Sequence, residues 1–228
     1  MTPLQRRCLD AMDIPLWRLR APRESAASVE RADRAPSAPS AHGLDWEALE
    51  AAVSTCTRCA LHKARTQAVF GVGRRNASLM VIGEAPGAEE DRRGEPFVGP
   101  AGQLLNAMLR AIGLAREDVY IANVLKCRPP GNRDPKPEEA ATCTPYLDRQ
   151  IALVAPRAIL AVGRIAGQWL LQSELPIGRL RGQVLQYGDS GIPLVATYHP
   201  AYLLRTPLAK AKSWHDLCLV RDVIATGQ

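Results

Sequence analysis

The chain has 228 residues, of which 46% are apolar and 23% charged, and its formal net charge is +6 at pH 7. These values are typical of a globular protein with one good core, with room for a second small module. No run of about 18 apolar residues is present, which excludes a membrane-spanning helix, and the N-terminus lacks a secretory signal pattern. We therefore expect a cytoplasmic protein with reduced cysteines, whose positive charge is compatible with a nucleic-acid partner but proves none.

Residues 1–42 are rich in Ala, Pro, Arg and Ser, as in the stretch 34–40. Their apolar content is too low to offset the entropy of ordering, so this segment is predicted to be a disordered extension with a short helical start near 4–12. Residues 43–228 are predicted to form the folded domain.

Helices and strands alternate along this domain. Short apolar runs bounded by turn residues predict strands at 79–83, 119–124, 158–162, 184–187 and 192–197. Apolar periodicity and capping residues predict helices at 46–53, 101–112, 138–154, 164–171 and 209–225, the third bent or interrupted near Pro145. The segments 88–91 and 198–205 are interpreted as loops. Such alternation predicts an α/β fold with a mainly parallel central sheet.

The stretch 79–87 contains a buried strand that stops abruptly at Gly83, Glu84 and a Pro-Gly turn. Ligands of open α/β sheets bind beyond the carboxyl ends of such strands. Asn123 lies where the predicted strand 119–124 should end, and His199 follows the predicted strand 192–197, so all three polar side chains are expected at one edge of the sheet. The alternative is that each is an ordinary turn residue.

Two further segments lie close to this edge in the predicted topology. Phe97 is one of only two phenylalanines and could stack on a planar ligand, although simple core packing is the more common role of such a residue. The stretch from Tyr202 to Arg205 is interpreted as an exposed apolar wedge for a duplex or, alternatively, as a cap packed on the domain.

Four of the six cysteines form a pattern that favours a metal site. Cys56 and Cys59 are spaced C-x2-C, and Cys127 and Cys143 lie in polar, proline-bearing surroundings. Four thiolates suit either structural zinc or a [4Fe–4S] cluster, and the spacing does not separate the two. Free buried thiols are the alternative, and this interpretation suits Cys8 and Cys218.

Several motifs occur together in one order: Gly83–Gly87, Gly94–Leu105, Asn123–Pro135 and His199–Arg205. Together they resemble the motifs of family 4 uracil-DNA glycosylases, from about residue 45 to the end. The resemblance implies a three-layer α/β/α sandwich and hydrolysis of the N-glycosidic bond between uracil and deoxyribose in DNA. It also implies that Cys56, Cys59, Cys127 and Cys143 are the ligands of one structural [4Fe–4S] cluster.

The resemblance also assigns roles. Glu84 would orient or deprotonate the attacking water, and His199 would donate a hydrogen bond to uracil O2 as charge builds there. Asn123 would recognise the polar edge of uracil, Phe97 would stack on it, and Glu90 would screen its C5 side. Backbone at Gly83, Ala85 and Gly87 would approach the base. The family often has glycine where Ala85 stands, which bears on fine specificity.

The expected partner is uracil-containing DNA, single- or double-stranded, bound by a monomer. The candidates for DNA contacts are cations and apolar residues that we expect to be exposed: Lys126, Arg128, Arg133, Leu203, Leu204 and Arg205. Two alternatives remain open at this point. One is a non-catalytic iron–sulfur or zinc module that binds DNA, and the other is a glycosylase that prefers another deaminated base such as hypoxanthine.

Overall fold

A computed structural model describes residues 41–226 of the protein. Its centre is a six-stranded sheet in the order β1-β3-β2-β4-β6-β5. The strands are β1 (Val72–Gly73), β2 (Leu79–Gly83), β3 (Tyr120–Asn123), β4 (Ala158–Val162), β5 (Leu185–Tyr187) and β6 (Ile192–Thr197). The four central strands are parallel, and the short outer strands β1 and β5 pair antiparallel with their neighbours.

Eight α-helices surround the sheet in the described part of the chain. They are α1 (Trp46–Ser54), α2 (Ala88–Arg93), α3 (Pro100–Ala111), α4 (Pro137–Val154), α5 (Arg164–Leu170), α6 (Ile177–Leu180), α7 (Pro200–Arg205) and α8 (Lys210–Thr226). None of the helices within residues 41–226 is long and apolar enough to cross a bilayer.

The two faces of the sheet carry separate apolar cores because successive strand residues point to opposite sides. In β2, Met80 and Ile82 join a core formed with α1, α4, α5 and α6. The intervening Leu79 and Val81 join a second core formed with α3, α7 and α8. Helices therefore cover both faces, and the predicted three-layer α/β/α architecture with a mainly parallel sheet is confirmed.

Two local predictions were wrong, and one of the two alternatives predicted for α4 is excluded. The acidic segment after Gly87 is the helix α2, whose acidic first turn and basic last turn suit the helix dipole and which ends at Gly94 with a φ of 75°. The segment after His199 is the helix α7, with His199 as its N-cap and Pro200 in its first turn. Helix α4 is continuous through Pro145, so the interruption that was one of the two predicted possibilities is absent; its buried face, which includes Leu147 and Ile151, packs in the first core.

Residues 1–40 of the predicted extension, which include its helical start and Cys8, lie outside the described residues. Residues 41 and 42 are described. Ala41 is buried against the first core, and the Arg149 Nε donates a hydrogen bond to the Leu44 carbonyl at 2.6 Å. The chain is thus already anchored on α4 before α1 begins.

Candidate active site

The carboxyl ends of the four parallel strands meet at one edge of the sheet. Gly83 at the end of β2 is paired with Asn123 at the end of β3, and Val162 of β4 is paired with Thr197 of β6. Glu84 is the first residue after β2, and His199 is the second residue after β6. Backbone hydrogen bonds from Val124 to Gly83 and from Leu125 to Glu84 keep the first two segments together beyond the sheet. The predicted gathering of polar residues at this edge is therefore what the backbone dictates.

Gly83, Asn123 and Phe97 are in close contact. A Cβ on Gly83 would overlap the Asn123 Oδ1 and lie 2.7 Å from the Phe97 Cζ, so no larger residue fits between the amide and the aromatic ring. The Phe97 and His199 rings are 5.7 Å apart between centroids and inclined by 30°. Phe97 thus forms an aromatic wall between the ends of β2 and β6.

Asn123 is 2% exposed, and its Oδ1 lacks a hydrogen-bond partner. Among residues 41–226 it is the one buried side-chain oxygen or nitrogen in this condition. A buried acceptor left unpaired costs about 1–3 kcal/mol, so such an atom is a strong indication of a ligand that donates to it.

His199 is held in one protonation state and one tautomer. The Ala201 backbone N–H donates to its Nδ1 at 3.1 Å. Burial and, to a smaller extent, the Arg205 guanidinium lower the pKa of the imidazole, Glu90 opposes both, and the resulting pKa is about 4. His199 is therefore neutral at pH 7 with its proton on Nε2, which makes Nε2 a hydrogen-bond donor without a full charge.

Glu84 is a half-buried carboxylate at the end of β2. Burial raises its pKa to about 7; the Asp134 carboxylate adds to this shift and the Arg164 guanidinium opposes it. Asp134 and Arg164 form an ion pair of 2.7 Å beside Glu84. A carboxyl group that is partly ionised at neutral pH suits general base catalysis.

Glu90 holds the segment that carries Phe97. Its Oε1 accepts hydrogen bonds from the backbone N–H groups of Val98 at 3.0 Å and Gly99 at 3.2 Å. A Cβ on Gly87 would lie 2.7 Å from the Glu90 Oε2, so Gly87 also contacts this carboxylate. Ala85 is partly buried and packs against the first core.

The predicted DNA contacts divide into two groups. Lys126 and Leu203 are each 1% exposed, so the prediction that they are exposed was wrong. Leu203 points into the second core because α7 is a helix, and Lys126 donates to the Asn123 carbonyl at 2.8 Å and to Gln150 Oε1 at 2.6 Å. The remaining candidates reach solvent to differing extents: Arg128, Arg133, Leu204 and Arg205.

Two of these remaining cations are already engaged within the protein. Arg133 forms a two-pronged ion pair with Glu139, at 2.6 and 2.9 Å, and Arg128 donates to Asn132 Oδ1 at 2.7 Å. Arg205 is exposed and close enough to His199 to influence its pKa. Leu204 is 46% exposed.

The four predicted cysteine ligands line a single cavity next to α1 and α4. The Arg65 guanidinium donates to the Cys127 Sγ at 2.8 Å, and the Lys126 backbone N–H donates to the Cys143 Sγ at 3.3 Å. Burial raises the pKa of both thiols. Within the described residues, however, no three Cys, His, Asp or Glu side chains are drawn together into a formed ligand set for a metal ion.

Several residues of the site gave no signal in the sequence. Gln150 accepts from Lys126 and donates to the Phe70 carbonyl and the Tyr120 hydroxyl, which forms a buried polar network under Asn123. Arg65 at the cysteine cavity was also missed. Their partners are up to 80 residues distant in the chain, so only the fold reveals them.

The fold and the strand-end site define an α/β protein with polar and aromatic side chains gathered at the carboxyl edge of its parallel strands. Residues 70–218 match the family described as the uracil DNA glycosylase superfamily. The chain is 48% identical over 182 residues to the type-4 uracil-DNA glycosylase of Archaeoglobus fulgidus. The aligned region covers 77% of this chain and 92% of that protein.

The type-4 uracil-DNA glycosylase of Pyrobaculum aerophilum is 42% identical over 182 residues, or 77% of this chain and 93% of that protein. A type-5 uracil-DNA glycosylase of the same organism is 32% identical over 148 residues, which is 58% of this chain and 64% of that protein. The chain belongs to the uracil-DNA glycosylase superfamily, in its type-4 branch.

Proposed function

We propose that the protein is a monofunctional uracil-DNA glycosylase of base-excision repair, which hydrolyses the N-glycosidic bond of deoxyuridine in DNA and leaves an abasic site. The observation that carries the proposal is the unpaired Asn123 Oδ1, buried against the Phe97 ring at the strand-end site. The type-4 relatives, all named as uracil-DNA glycosylases, support the same activity.

Asn123 recognises uracil by its hydrogen-bonding pattern. Its Oδ1 accepts from the uracil N3–H, and its amide N–H donates to the uracil O4. Cytosine presents an acceptor at N3 and a donor at C4, so it leaves both groups of the amide unpaired and is rejected.

His199 and Glu84 carry the chemistry. Bond breaking leaves positive charge on the sugar and negative charge on uracil, and the His199 Nε2–H donates to the uracil O2 where that charge develops. The ionised Glu84 carboxylate first stabilises the sugar cation left by the broken N-glycosidic bond. It then takes a proton from the water whose oxygen forms the new bond to the sugar C1′, and the uracil anion leaves. Both residues act at neutral pH, one as a neutral donor and the other as a partly ionised base.

The remaining groups bind the extruded base. Phe97 stacks on uracil and offsets part of the cost of unstacking, which is a few kcal/mol. Backbone at Gly83, Ala85 and Gly87 lies against the base, and Glu90 closes its C5 side while it holds the Phe97 segment.

We also propose that Cys56, Cys59, Cys127 and Cys143 hold one structural [4Fe–4S] cluster. The four thiol side chains share a cavity, and N–H donors from Arg65 and the Lys126 backbone compensate charge on two of the sulfur atoms. Such a cluster would fix the 123–127 segment to α4, without taking part in the hydrolysis.

An apolar and basic surface formed by α7, the short turn 207–209 and the first two turns of α8 is a candidate for the DNA backbone on either side of the uracil. Four of the six exposed large apolar residues in the described chain lie there: Tyr202, Leu204, Leu208 and Trp214. Arg205, Lys210 and Lys212 accompany them, and no acidic residue lies between 205 and 212. Leu208 is 93% exposed, so it replaces Leu203 as the candidate wedge.

The test of the proposed function is release of free uracil from an oligonucleotide, followed by alkali cleavage at the abasic site. We expect cleavage by the wild type and strong loss in Asn123→Ala. DNA binding without release of any base, in a panel that includes hypoxanthine, would overturn the proposal in favour of a binding module. Release of hypoxanthine in preference to uracil would change the substrate.

Three further measurements test the finer proposals, two on the wild-type protein and one on substituted proteins. Iron and acid-labile sulfide are expected at about four each per chain, with zinc absent. Size-exclusion chromatography is expected to show a monomer.

Leu208→Ala is expected to slow excision from duplex DNA but not from single strands, with Leu175→Ala, also exposed, as the matched control. A location with the DNA in the cytoplasm stays a prediction.

A further inference from the structure

Phe97 adopts a backbone conformation that its side chain disfavours. Its φ is 55°, in the left-handed region where residues other than glycine are rarely found. Four non-glycine residues of the described chain have a positive φ, and Phe97 is the one aromatic residue among them. An aromatic residue stays in this region only where the surrounding structure holds it there.

Arg116 supplies the contacts that hold the carbonyl side of this turn. Its Nη2 donates to the Pro96 carbonyl at 2.6 Å, and its Nη1 donates to the Phe97 carbonyl at 3.4 Å. The guanidinium is itself oriented by Glu95 Oε1 at 2.9 Å and by Asn106 Oδ1 at 3.2 Å. The planar fork of arginine can make these contacts together, whereas an ammonium group cannot.

The opposite side of the turn is held by other groups. Glu90 accepts hydrogen bonds from the backbone N–H groups of Val98 and Gly99 on that side. On the carbonyl side, Gly102 of α3 lies so close to the Phe97 carbonyl that a Cβ there would overlap it. The side chain of Phe97 then has one direction available, against Gly83 and towards the His199 ring.

We infer that Arg116, 19 residues from Phe97 in the chain, is a positioning residue that sets the height and tilt of the Phe97 ring against the extruded base. Arg116 does not touch the base; it acts through the carbonyl groups of Pro96 and Phe97. This inference rests on the proposed function, because it assigns to Phe97 the stacking role.

The inference separates base binding from DNA binding. Displacement of the Phe97 ring weakens every step that needs the base in its site, because small errors in placement have large effects on rate. It leaves untouched the contacts with sugar and phosphate. Free uracil, as a competitive inhibitor, measures the first property, and an oligonucleotide with an abasic site measures the second.

The experiment compares Arg116→Ala and Arg116→Lys with Arg149→Ala. Arg149 is a matched control, since it is also partly buried and donates to a backbone carbonyl, but on the other face of the sheet. For Arg116→Ala we expect about a tenfold weaker inhibition by uracil and a 10- to 100-fold lower kcat/KM, with abasic-site binding within about twofold of wild type. In inhibition by uracil and in kcat/KM, Arg116→Lys is expected to lie between Arg116→Ala and the wild type. Arg149→Ala is expected to match the wild type in inhibition by uracil, kcat/KM and abasic-site binding.

Two results would overturn the inference. Inhibition by uracil that is unchanged in Arg116→Ala shows that the ring does not depend on Arg116. A parallel loss of uracil inhibition, abasic-site binding and thermal stability shows a general structural role. Should Arg116→Ala fail to fold, Arg116→Lys carries the same comparison. A wild-type protein that releases no uracil would instead overturn the proposed function, so the two failures are distinct.

Discussion

The cysteine cavity and the strand-end site are four residues apart at their nearest point, Cys127 and Asn123, yet the chain builds them differently. The strand-end site is fixed by the sheet, since paired strands end together at Gly83 and Asn123. The cysteine cavity is assembled from a turn after α1, a loop after β3 and the middle of α4. Sheet pairing positions the first site, whereas we expect the geometry of the second to depend on the proposed cluster that its thiols would hold.

The largest effect is expected from the strand-end site alone. His199→Ala removes one preorganised donor, so the single-turnover rate should fall by about 10²–10³-fold. Iron content should not change, and the melting temperature should fall by only a few degrees, because the lost side chain also caps α7. His215→Ala, an exposed histidine on α8, is the control and should be fully active. A rate loss below tenfold would contradict the role of His199.

The second prediction concerns the cysteine cavity, where we expect loss of iron and of stability together with a smaller loss of rate. Cys143→Ser should lose most of its iron and several degrees of melting temperature, and its rate should fall by about 10–100-fold because the segment that carries Asn123 is no longer held. Cys218→Ser, on α8 outside the cavity, should keep its iron and its rate. Full activity of an iron-free Cys143→Ser protein would show that the two sites are independent.

The third prediction concerns the residue that joins the two sites. Lys126→Met breaks the hydrogen bonds to the Asn123 carbonyl and Gln150, and it leaves two buried acceptors unpaired at a cost of about 1–3 kcal/mol each. We expect a rate loss of about tenfold with iron retained. Lys136→Met, on an exposed lysine, should change neither. Loss of iron in Lys126→Met would show that Lys126 stabilises the cysteine cavity rather than the strand-end site.

The smallest effect is a shift in the pH profile. Activity should fall as the pH drops below about 7, because Glu84 must be ionised, and Glu84→Gln should remove this limb. His199, with a pKa of about 4, adds nothing between pH 6 and 8. Arg164→Gln should move the midpoint upward and Asp134→Asn downward, each by less than about one unit, since both charges are exposed. Identical midpoints in the two variants would exclude Glu84 as the titrating base.

The raised pKa of Glu84 also determines how the stability of the folded protein changes with pH. A carboxyl whose pKa is raised on folding binds its proton more tightly in the folded state, so stability decreases as pH rises from the unfolded value towards 7. Glu84→Gln should therefore melt at a higher temperature than the wild type at pH 8, with the difference disappearing near pH 4. Thermal melts at the two pH values measure this.

The sheet and the strand-end residues could be predicted because they depend on local signals. Four consecutive apolar residues that stop at Gly83 can be read directly, and so can the polar residues that follow each strand. Lys126 could not be predicted, since its partner Gln150 comes from α4 and makes a buried amine tolerable. A lysine among polar residues suggests solvent until that partner is known.

The helix α7 was predictable in principle. Its signals are a capping residue, His199, followed by a proline in the first turn. Without the helix, Leu203 and Leu204 look equivalent; within it they project about 100° apart around the helix axis, so that one is buried and the other is exposed. The role of Arg116 needed the structure, because nothing in the sequence shows that Phe97 has a positive φ.

The outer strands have a consequence for how the protein behaves when concentrated. β1 has two residues and β5 has three, both antiparallel to the strand they cover, so each rim of the sheet exposes very little backbone to another molecule. A longer bare rim invites neighbouring chains to add strands and polymerise. The parallel centre is thereby shielded from fibril growth.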